Sequence, residues 1–402
     1  MIEAKSGLRA NGSFIIILLL SILPQAATDL YLPSVAAMAQ SFKVTLDLAQ
    51  WTIAIFMVGM AISQLIYGPL SEGLGRKKPL LAGLILSFIG CAICLFAHSI
   101  EMLLMGRLLQ GFGAGACSCL FRAILRDLFK GDTLVKYVSY LIMVYSAVAP
   151  AVPVLGGYLE YFFTWRASFM FLLGYTGLMV FLILAVLPES HRDAHHSKLK
   201  PTYLLGCFIQ LLRSPLFMCY ALFASIAAGS TFAWITSAPM LLIKGAGLTS
   251  IDFGWAMLVT SIIPTVCAGW MNPRLVKRFG VQWVLYFAWS LLFVSGGMFL
   301  LFYYFWHFLP AAIILPAAVF FFGSMFVYPN TYTMAFTPFG HIAGIAATLY
   351  AAIQMSGAAL FSAIFSHFPW RTPIPLGFVL MGVALLSLMI YKLGLKRNLS
   401  ID

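Results

Sequence analysis

The sequence places one carboxylate, Asp29, inside an apolar stretch that is long enough to cross a lipid bilayer. An ionisable side chain in the hydrocarbon core costs at least ~2.5 to 3.5 kcal/mol on insertion scales, so it is usually functional and faces protein or a water-filled cavity. We therefore expect Asp29 to be a functional carboxylate that needs a partner. The alternative is a polar residue that only helps two helices to pack.

A second charge, Arg107, lies in another apolar stretch, within residues 105–115. A buried guanidinium keeps its proton and must meet a carboxylate, backbone carbonyls or water. With a helical rise of 1.5 Å per residue, Asp29 lies about 14 Å and Arg107 about 8 Å from the same membrane surface. We therefore predict that Asp29 and Arg107 contact each other and that Arg107 influences proton release from Asp29. Three further acids are expected at membrane interfaces, where a charge costs little: Glu101, Glu160 and Asp252.

The two charges must be positioned by membrane-spanning helices. Of 402 residues, 62% are hydrophobic and 9% are charged, whereas soluble globular domains have a charged fraction near 25%. This composition excludes a soluble protein and leaves no room for an extramembrane enzyme domain. It predicts an all-α integral membrane protein with twelve transmembrane helices in two pseudo-symmetric six-helix bundles. The predicted spans are 14–38, 49–70, 79–98, 102–123, 135–158, 165–187, 215–242, 252–272, 283–304, 309–336, 342–366 and 374–391.

The longest hydrophilic run, residues 188–201, divides these spans into six and six. We accordingly assign residues 1–188 to an amino-terminal bundle, 189–214 to a cytoplasmic linker and 215–402 to a carboxyl-terminal bundle.

The two halves also repeat a loop. An offset of 205 residues superposes Leu70 on Leu275 and Gly75 on Gly280. Internal repeats of this kind are typical of secondary transporters, whose substrate site lies between the repeats near the membrane midplane.

The net charge of +12 is explained by membrane topology. If the amino terminus is cytoplasmic, 18 of the 24 basic residues fall in cytoplasmic segments. They are Lys5, Arg9, Arg76, Lys77, Lys78, Arg126, Lys130, Lys136, Arg192, Lys198, Lys200, Arg213, Arg274, Lys277, Arg278, Lys392, Lys396 and Arg397. The positive-inside rule then predicts a multi-pass protein of the cytoplasmic (inner) membrane with both termini in the cytoplasm, and it removes the need for a nucleic-acid partner.

The loop after the second span carries the most specific motif. Gly68 and Gly75 permit close helix approach and a positive φ, and Glu72 can pair with Arg76. Residues 68–78 resemble the loop 2–3 signature of the major facilitator superfamily, Gly-x-Leu-x-Asp-Arg-x-Gly-Arg-Arg, with Glu72 in place of the aspartate and glycine in place of the next basic residue.

In that family the loop latches the cytoplasmic side, and a basic residue at the end of the fourth span takes part. The resemblance therefore implies a gating cluster here. Its residues are Gly68, Glu72, Gly75, Arg76, Lys77, Arg126 and Asp127.

Two further stretches resemble signatures of the same family. Residues 107–113 are similar to Arg-x-x-Gln-Gly-x-Gly of the fourth span, whose arginine is thought to influence proton release from an acid on the first span. The end of the fifth span is similar to the helix-bending antiporter signature of drug exporters. The residues carrying it are Pro150, Pro153, Gly156 and Gly157.

With residues 27–33, Ala-Thr-Asp-Leu-Tyr-Leu-Pro, these motifs resemble those of the Bcr/CflA-like multidrug exporters over the whole chain. The resemblance implies proton-driven export of small, mostly hydrophobic or cationic compounds by alternating access. It implies no cofactor, no metal and no enzymatic activity, and a monomer whose partners are a small-molecule substrate, protons and the lipid bilayer.

The substrate cavity is expected to lie between the halves, with aromatic and neutral polar walls. The predicted lining residues are Tyr31, Gln64, Tyr145, Trp234, Asn330, Tyr350 and Gln354. Because the spans of the second half contain no charge away from their ends, Trp234 and Asn330 are expected to set specificity without affecting proton coupling.

Two alternatives remain open at the level of sequence. One is a proton-coupled transporter of the same fold that takes up or exports a specific metabolite such as an amino acid, a sugar or a siderophore. The other is a membrane sensor or assembly factor that transports nothing, which would leave Asp29 and Arg107 without a purpose.

Overall fold

The structure, a computed structural model, describes residues 2–190, 201–367 and 372–392, and these residues are predominantly helical. The first half contains α1 Ile2–Asp29, α2 Val35–Ser41, α3 Leu46–Leu74, α4 Lys77–Leu95, α5 Ile100–Leu128, α6 Gly131–Phe162 and α7 Trp165–Ala185. The second half contains α8 Pro201–Leu212, α9 Pro215–Pro239, α10 Ser250–Trp306, α11 Pro310–Phe336, α12 Ala343–Ser366 and α13 Ile374–Ile390.

The helices account for twelve membrane spans, as predicted. Among the described residues, 10 helices are long and apolar enough to cross a membrane. One of them, α10, has 57 residues and contains two spans joined at Gly280, while α13 supplies a further, shorter span. The turn at Gly280 lies between the predicted eighth and ninth spans, 252–272 and 283–304, and the two helices follow each other there without a longer loop.

The internal repeat is visible in the backbone. Gly75 has φ 84° and ψ 168°, and Gly280, at the repeated position, has φ 82° and ψ 164°. This region strongly favours glycine, because a Cβ atom would clash with the backbone there. The predicted positive φ at Gly75 is confirmed, and the same turn recurs in the second half.

The first span is not one continuous helix. Helix α1 ends at Asp29, Leu30 and Tyr31 form a turn, and a short 3₁₀ segment, Leu32–Ser34, leads into α2. Pro33 contributes to this break because it has no N–H to donate to a preceding carbonyl. Broken helices inside a membrane are tolerated where protein surrounds the freed backbone, and they often mark binding sites.

The linker between the halves is partly helical. Helix α8 occupies most of residues 201–214 and packs against α9 and α12, with Cys207 and Leu211 buried and Leu205 and Ile209 exposed. The predicted linker, residues 189–214, thus contains a helix, and residues 191–200 lie outside the described part of the chain.

The halves meet at both ends of the bundle. At one end, here called the Ser250 end, a Cβ on Gly157 would come within 2.3 Å of the Ser250 carbonyl oxygen. Gln50 of α3 donates a 2.8 Å hydrogen bond to the Thr236 carbonyl of α9 at the same end. At the opposite end, the Arg76 end, a Cβ on Gly68 would lie 2.2 Å from Oγ1 of Thr348. The close approach predicted for Gly68 is confirmed.

Candidate functional site

Asp29 lies at the end of α1, where the first span breaks, and its side chain is buried with 7% exposure. The Gln25 amide, one turn earlier, donates a hydrogen bond to Oδ2. The other oxygen, Oδ1, is buried and has no hydrogen-bond partner. A buried carboxylate oxygen without a donor is costly, and binding a proton removes the charge that makes it so.

Arg107 does not contact Asp29, which corrects the direct pairing predicted from sequence. The side chain is fully buried on α5, and its Nη1 donates to the Ala27 carbonyl at 2.9 Å and to Gln110 Oε1. Its Nε donates to the Thr52 carbonyl at 3.3 Å. A buried arginine can donate to backbone carbonyls as well as to a carboxylate. Here the carbonyls of Ala27 and Thr52 replace the predicted carboxylate partner.

The guanidinium of Arg107 is also held between two aromatic rings. Its Cζ atom lies 4.2 Å from the ring centroid of Tyr31 and 4.2 Å from that of Phe56. Ring faces attract a desolvated cation. In the described residues both ion pairs within 4.0 Å belong to Arg76, so Arg107 forms no ion pair with Asp29, and its contacts with the first span are with Ala27 and Tyr31.

Two glycines of the helix-bend motif bring α6 onto the broken span and onto the second half. A Cβ on Gly156 would lie 1.9 Å from the Leu30 carbonyl oxygen, next to Asp29. Gly157 makes the corresponding contact with Ser250 across the two halves. Pro150 and Pro153 lie within a continuous α6, so the motif serves close packing without interrupting the helix.

Tyr145, predicted as a cavity residue, belongs to the surroundings of Asp29. Its hydroxyl donates a 3.0 Å hydrogen bond to Oε1 of Gln25. Gln25 therefore connects Asp29 to Tyr145. Sequence reasoning missed Gln25, although its position four residues before Asp29 on a helix was a usable signal.

The other predicted cavity residues of the first half lie within its packing. Tyr31 is fully buried and its hydroxyl lies 3.3 Å from Oγ1 of Thr52. Gln64 is buried and donates a 3.4 Å hydrogen bond to Ser118 on α5. These contacts join neighbouring helices and do not place either side chain at an open surface.

In the second half, the predicted residues form separate polar contacts. Asn330 of α11 donates to Oδ1 of Asn272 at 2.8 Å. The Tyr350 hydroxyl lies 2.9 Å from Oγ1 of Thr331. These two contacts link α11 to α10 and to α12.

Trp234 and Gln354 differ from that pattern. Trp234 is buried against Phe299 of α10, with 6.1 Å between ring centroids, and its indole N–H has no hydrogen-bond partner. Phe299 belongs to the second span of α10, so the contact is internal to this half. Gln354 is half-buried on α12. A cavity of ≈ 360 Å³ lies elsewhere, between α10 and α13, and includes none of the predicted residues.

The gating cluster forms around Arg76. Its Nε lies 2.9 Å from Oδ2 of Asp127, its Nη2 2.8 Å from Oε1 of Glu72, and its Nη1 donates to the Ser71 hydroxyl at 2.8 Å. Burial alone would lower the pKa of Arg76, but the hydrogen bonds and charges of Asp127 and Glu72 outweigh it and raise that pKa. Arg76 therefore stays charged throughout the physiological range.

Glu189, absent from the predicted cluster, completes it. Its carboxylate accepts the backbone N–H groups of Arg76 at 2.8 Å and Lys77 at 3.1 Å, at the amino terminus of α4, where the helix dipole favours an anion. The Lys77 ammonium in turn donates to the Leu187 carbonyl at 2.8 Å. Arg126 is exposed, so the residue at the end of the fourth span that joins the cluster is its acidic neighbour, Asp127.

Glu160, which the sequence places at a membrane interface, lies at the end of a span. It is half-buried in the last turn of α6, and its Oε2 is buried without a hydrogen-bond partner. Helix α6 packs against the 3₁₀ segment Leu32–Ser34, and the Ser34 hydroxyl is likewise buried without a hydrogen-bond partner.

Twelve spans in two repeated halves, with a buried carboxylate beside a broken span, define a secondary transporter. A sequence model of the Major Facilitator Superfamily matches residues 17–362, and this chain belongs to that superfamily. Its structure is similar to a partially occluded, inward-open xylose transporter XylE from E. coli, with a TM-score of 0.73, 13% identity, and coverage of 96% of this chain and 98% of that one.

Several curated relatives cover nearly the whole chain. A bicyclomycin resistance protein homolog from Haemophilus influenzae is 28% identical, over 97% of this chain and 98% of the relative. An uncharacterized transporter, YdgK of Bacillus subtilis, is 30% identical over 94% of each chain. Multidrug resistance protein D of Escherichia coli is 25% identical over 93% of each chain. The predicted fold, the resemblance to Bcr/CflA-like exporters and the classification as a transporter instead of an enzyme are confirmed.

Proposed function

We propose that this protein exports small, mostly hydrophobic or cationic compounds from the cytoplasm in exchange for protons, by alternating access. The observation that carries the proposal is Asp29, a buried carboxylate at the break of the first span with one oxygen unpartnered and no ion pair. Such a group can exist as a neutral acid or, when a donor or a cation reaches it, as a carboxylate. Proton and substrate can therefore compete for it.

The choice of substrate class is supported by the names of the relatives, which include bicyclomycin, multidrug and chloramphenicol resistance proteins. The distribution of basic residues supports a cytoplasmic position for the Arg76 end and for both termini. In this orientation the Ser250 end faces outward and is closed by the packing of α6 on α10. Proton-coupled transport of one specific metabolite is the second candidate, and it requires the same Asp29.

Replacing Asp29 with Asn tests the proposal. In proteoliposomes, Asp29→Asn is expected to abolish transport driven by a pH gradient while the protein remains inserted and folded, because the amide cannot exchange a proton. Glu101→Gln is the matched control, since Glu101 is an exposed acid near a span end. Gradient-driven efflux by Asp29→Asn at the wild-type rate would overturn the assignment.

The direction and the substrate class need a separate measurement. A pump-deficient bacterial strain expressing the chain is expected to tolerate higher concentrations of several chemically unrelated hydrophobic or cationic compounds. Accumulation of one metabolite, with no protection against any compound in the panel, would favour the second candidate.

A further inference from the structure

Gln25 and Tyr145 form a hydrogen-bonded chain that ends on Asp29. The Gln25 amide N–H donates to Asp29 Oδ2, and the Tyr145 O–H donates to Gln25 Oε1 at 3.0 Å. The chain crosses from α1 to α6. A carboxylate can only accept hydrogen bonds, so when Asp29 is charged both donors of the chain point toward it.

We propose that Gln25 and Tyr145 are positioning residues that convert the protonation state of Asp29 into the direction of the Tyr145 hydroxyl, and thereby select substrates that carry N–H donors or a cationic group. This inference rests on the proposed role of Asp29 as the proton-binding residue. It assigns Tyr145 a switching role beyond lining a cavity.

Protonation reverses the order of donors along the chain. A protonated Asp29 carries an O–H donor, and the Gln25 side chain can accept it by exchanging the positions of its carbonyl and NH₂ groups. The Gln25 NH₂ group then points at Tyr145. The Tyr145 oxygen must accept this donor, so the tyrosine O–H turns away from α1.

The second half offers an acceptor for the turned hydroxyl. Tyr328 of α11 and Tyr145 of α6 interact electrostatically. The Tyr328 hydroxyl lies 2.9 Å from Oγ1 of Thr231, and Thr231 donates its own proton to the Ala227 carbonyl at 3.0 Å. Tyr328 must therefore donate the hydrogen bond to Thr231. The Tyr328 oxygen can then still accept a hydrogen bond from the direction of Tyr145.

The consequence for substrate follows from the two orientations. With Asp29 charged, Tyr145 donates to Gln25 and presents an oxygen lone pair to the space between the halves. That lone pair and the nearby carboxylate suit a cation or an N–H donor. With Asp29 protonated, Tyr145 presents its O–H instead, and the same substrate loses both the acceptor and the negative charge. Proton and substrate thereby exclude each other, as antiport requires.

Other ionisable groups around Asp29 have different partners. On α5, Arg107 is bonded to Ala27 and Thr52, and Arg122 interacts electrostatically with Tyr145. On α6, Glu160 lies in the last turn of a helix that packs on the 3₁₀ segment containing Ser34. In the turn that follows α1, Tyr31 lies against Thr52.

The remaining group, Tyr175 of α7, donates a 2.8 Å hydrogen bond to the Leu19 carbonyl of α1. Tyr175 thus makes the same kind of bond to the same helix as Tyr145, but it has no link to Asp29. It is the matched control.

Infrared difference spectra between high and low pH, recorded on the purified chain in detergent, test the proposal without a transported compound. The wild type is expected to show the carboxylic-acid band of Asp29 together with a tyrosine band of the same pH midpoint. Tyr145→Phe and Gln25→Leu should each lose that tyrosine band and keep the carboxylic-acid band. Tyr175→Phe should keep both.

Survival of the tyrosine band in Tyr145→Phe, or its loss in Tyr175→Phe, would overturn the role of Tyr145. Asp29→Asn separates this failure from failure of the proposed function. If Asp29→Asn retains the carboxylic-acid band, Asp29 is not the proton-binding residue and both inferences fall. If Asp29→Asn loses that band while Tyr145→Phe keeps the tyrosine band, the roles of Tyr145 and Gln25 are wrong and the proposed role of Asp29 stands.

Discussion

At the scale of single residues, the amino-terminal half handles its two buried charges in different ways. Arg107 is surrounded by two carbonyls, the Gln110 side chain and two ring faces, whereas Asp29 has one amide donor and an unpartnered oxygen. The Nη2 of Arg107 is also buried without a partner, but its Nε and Nη1 donate to groups on three helices, and such a set of contacts fixes a structure. A group with an unused oxygen is suited to changing its state. We therefore expect Arg107 to organise the half in which Asp29 is proposed to bind the proton.

This view of Arg107 predicts a large loss of stability when it is truncated. Arg107→Ala removes donors from the Ala27 and Thr52 carbonyls and from Gln110 and empties a buried site between two rings, so it should destabilise the protein by about 3 kcal/mol or more. Arg107→Lys keeps the charge but not the planar set of donors, so part of the loss should remain.

Unfolding in detergent, followed by heat or denaturant, measures the effect. Arg166→Ala is the control, because Arg166 also donates to two carbonyls and stacks on an aromatic ring but is only half-buried. Equal losses for Arg107→Ala and Arg166→Ala would contradict the assigned role.

For Glu160 we predict a gain of stability when its charge is removed, in contrast to the loss predicted for Arg107. Its Oε2 is buried without a donor, and it lies at the carboxyl end of α6, where the helix dipole disfavours an anion. Glu160→Gln keeps the shape, removes the charge and should stabilise the protein by about 1 kcal/mol. The exposed Glu101→Gln should leave the unfolding midpoint unchanged. A loss of stability in Glu160→Gln would mean that the carboxylate has a partner it needs.

At the scale of elements, the break in the first span and the glycines of α6 depend on each other. The turn at Leu30 exposes a carbonyl, and the absence of a side chain at Gly156 lets α6 come close to it. The packing of α6 in turn holds Asp29 at the position where α1 ends. Tyr145 and Glu160 project from the same helix, so displacement of α6 would alter every contact around Asp29.

A methyl group at Gly156 tests this dependence. Gly156→Ala would place a Cβ 1.9 Å from the Leu30 oxygen, which forces α6 outward at a cost of about 1 to 3 kcal/mol. Gradient-driven transport should fall together with stability. Gly174→Ala is the control, since nothing lies within 4 Å of its Cβ position on α7. Wild-type transport by Gly156→Ala would show that the close contact is dispensable.

At the scale of the whole molecule, the two ends of the bundle are closed by different physical means. The Ser250 end relies on backbone contact between α6 and α10, with Gly254 against the Pro153 carbonyl and Gly157 against Ser250. The Arg76 end has an ionic cluster within the first half, whose Glu72 lies close to Gly344 of α12. Alternating access requires that each closure can open without the other.

Variants of the two closures should shift the conformational equilibrium in opposite directions. Gly157→Ala should open the Ser250 end, since an overpacking cost of about 1 to 3 kcal/mol corresponds to a shift of roughly 5- to 150-fold in population. Asp127→Asn should instead weaken the cluster and favour opening at the Arg76 end.

Distances between spin labels at positions 163 and 244, near the Ser250 end, report the populations. The label pair should separate in Gly157→Ala and remain close in Asp127→Asn. Gly297→Ala, whose Cβ position has nothing within 4 Å, should match the wild type. A shift in the same direction for Gly157→Ala and Asp127→Asn would contradict the division between the two ends.

Much of this molecule follows from local sequence. The twelve spans are predictable because a membrane helix must satisfy its backbone hydrogen bonds within its own segment, so length and hydropathy suffice. The paired turns at Gly75 and Gly280 are predictable because few residues other than glycine adopt their φ readily. Asp29 can likewise be identified as a candidate functional residue from its position in an apolar run, without knowledge of its neighbours in the folded protein.

The partners of the charged residues were decided only by the tertiary structure. Arg126 and Asp127 are adjacent in sequence, but successive helical residues point about 100° apart, so the rotation of α5 alone puts Asp127 into the cluster and leaves Arg126 exposed. The same rotation, together with the break after Asp29, directs Arg107 to Ala27 and Thr52 instead of to the carboxylate. Hydropathy measures depth in the membrane but carries no information on rotation about a helix axis, and that rotation arises from packing between segments far apart in the chain.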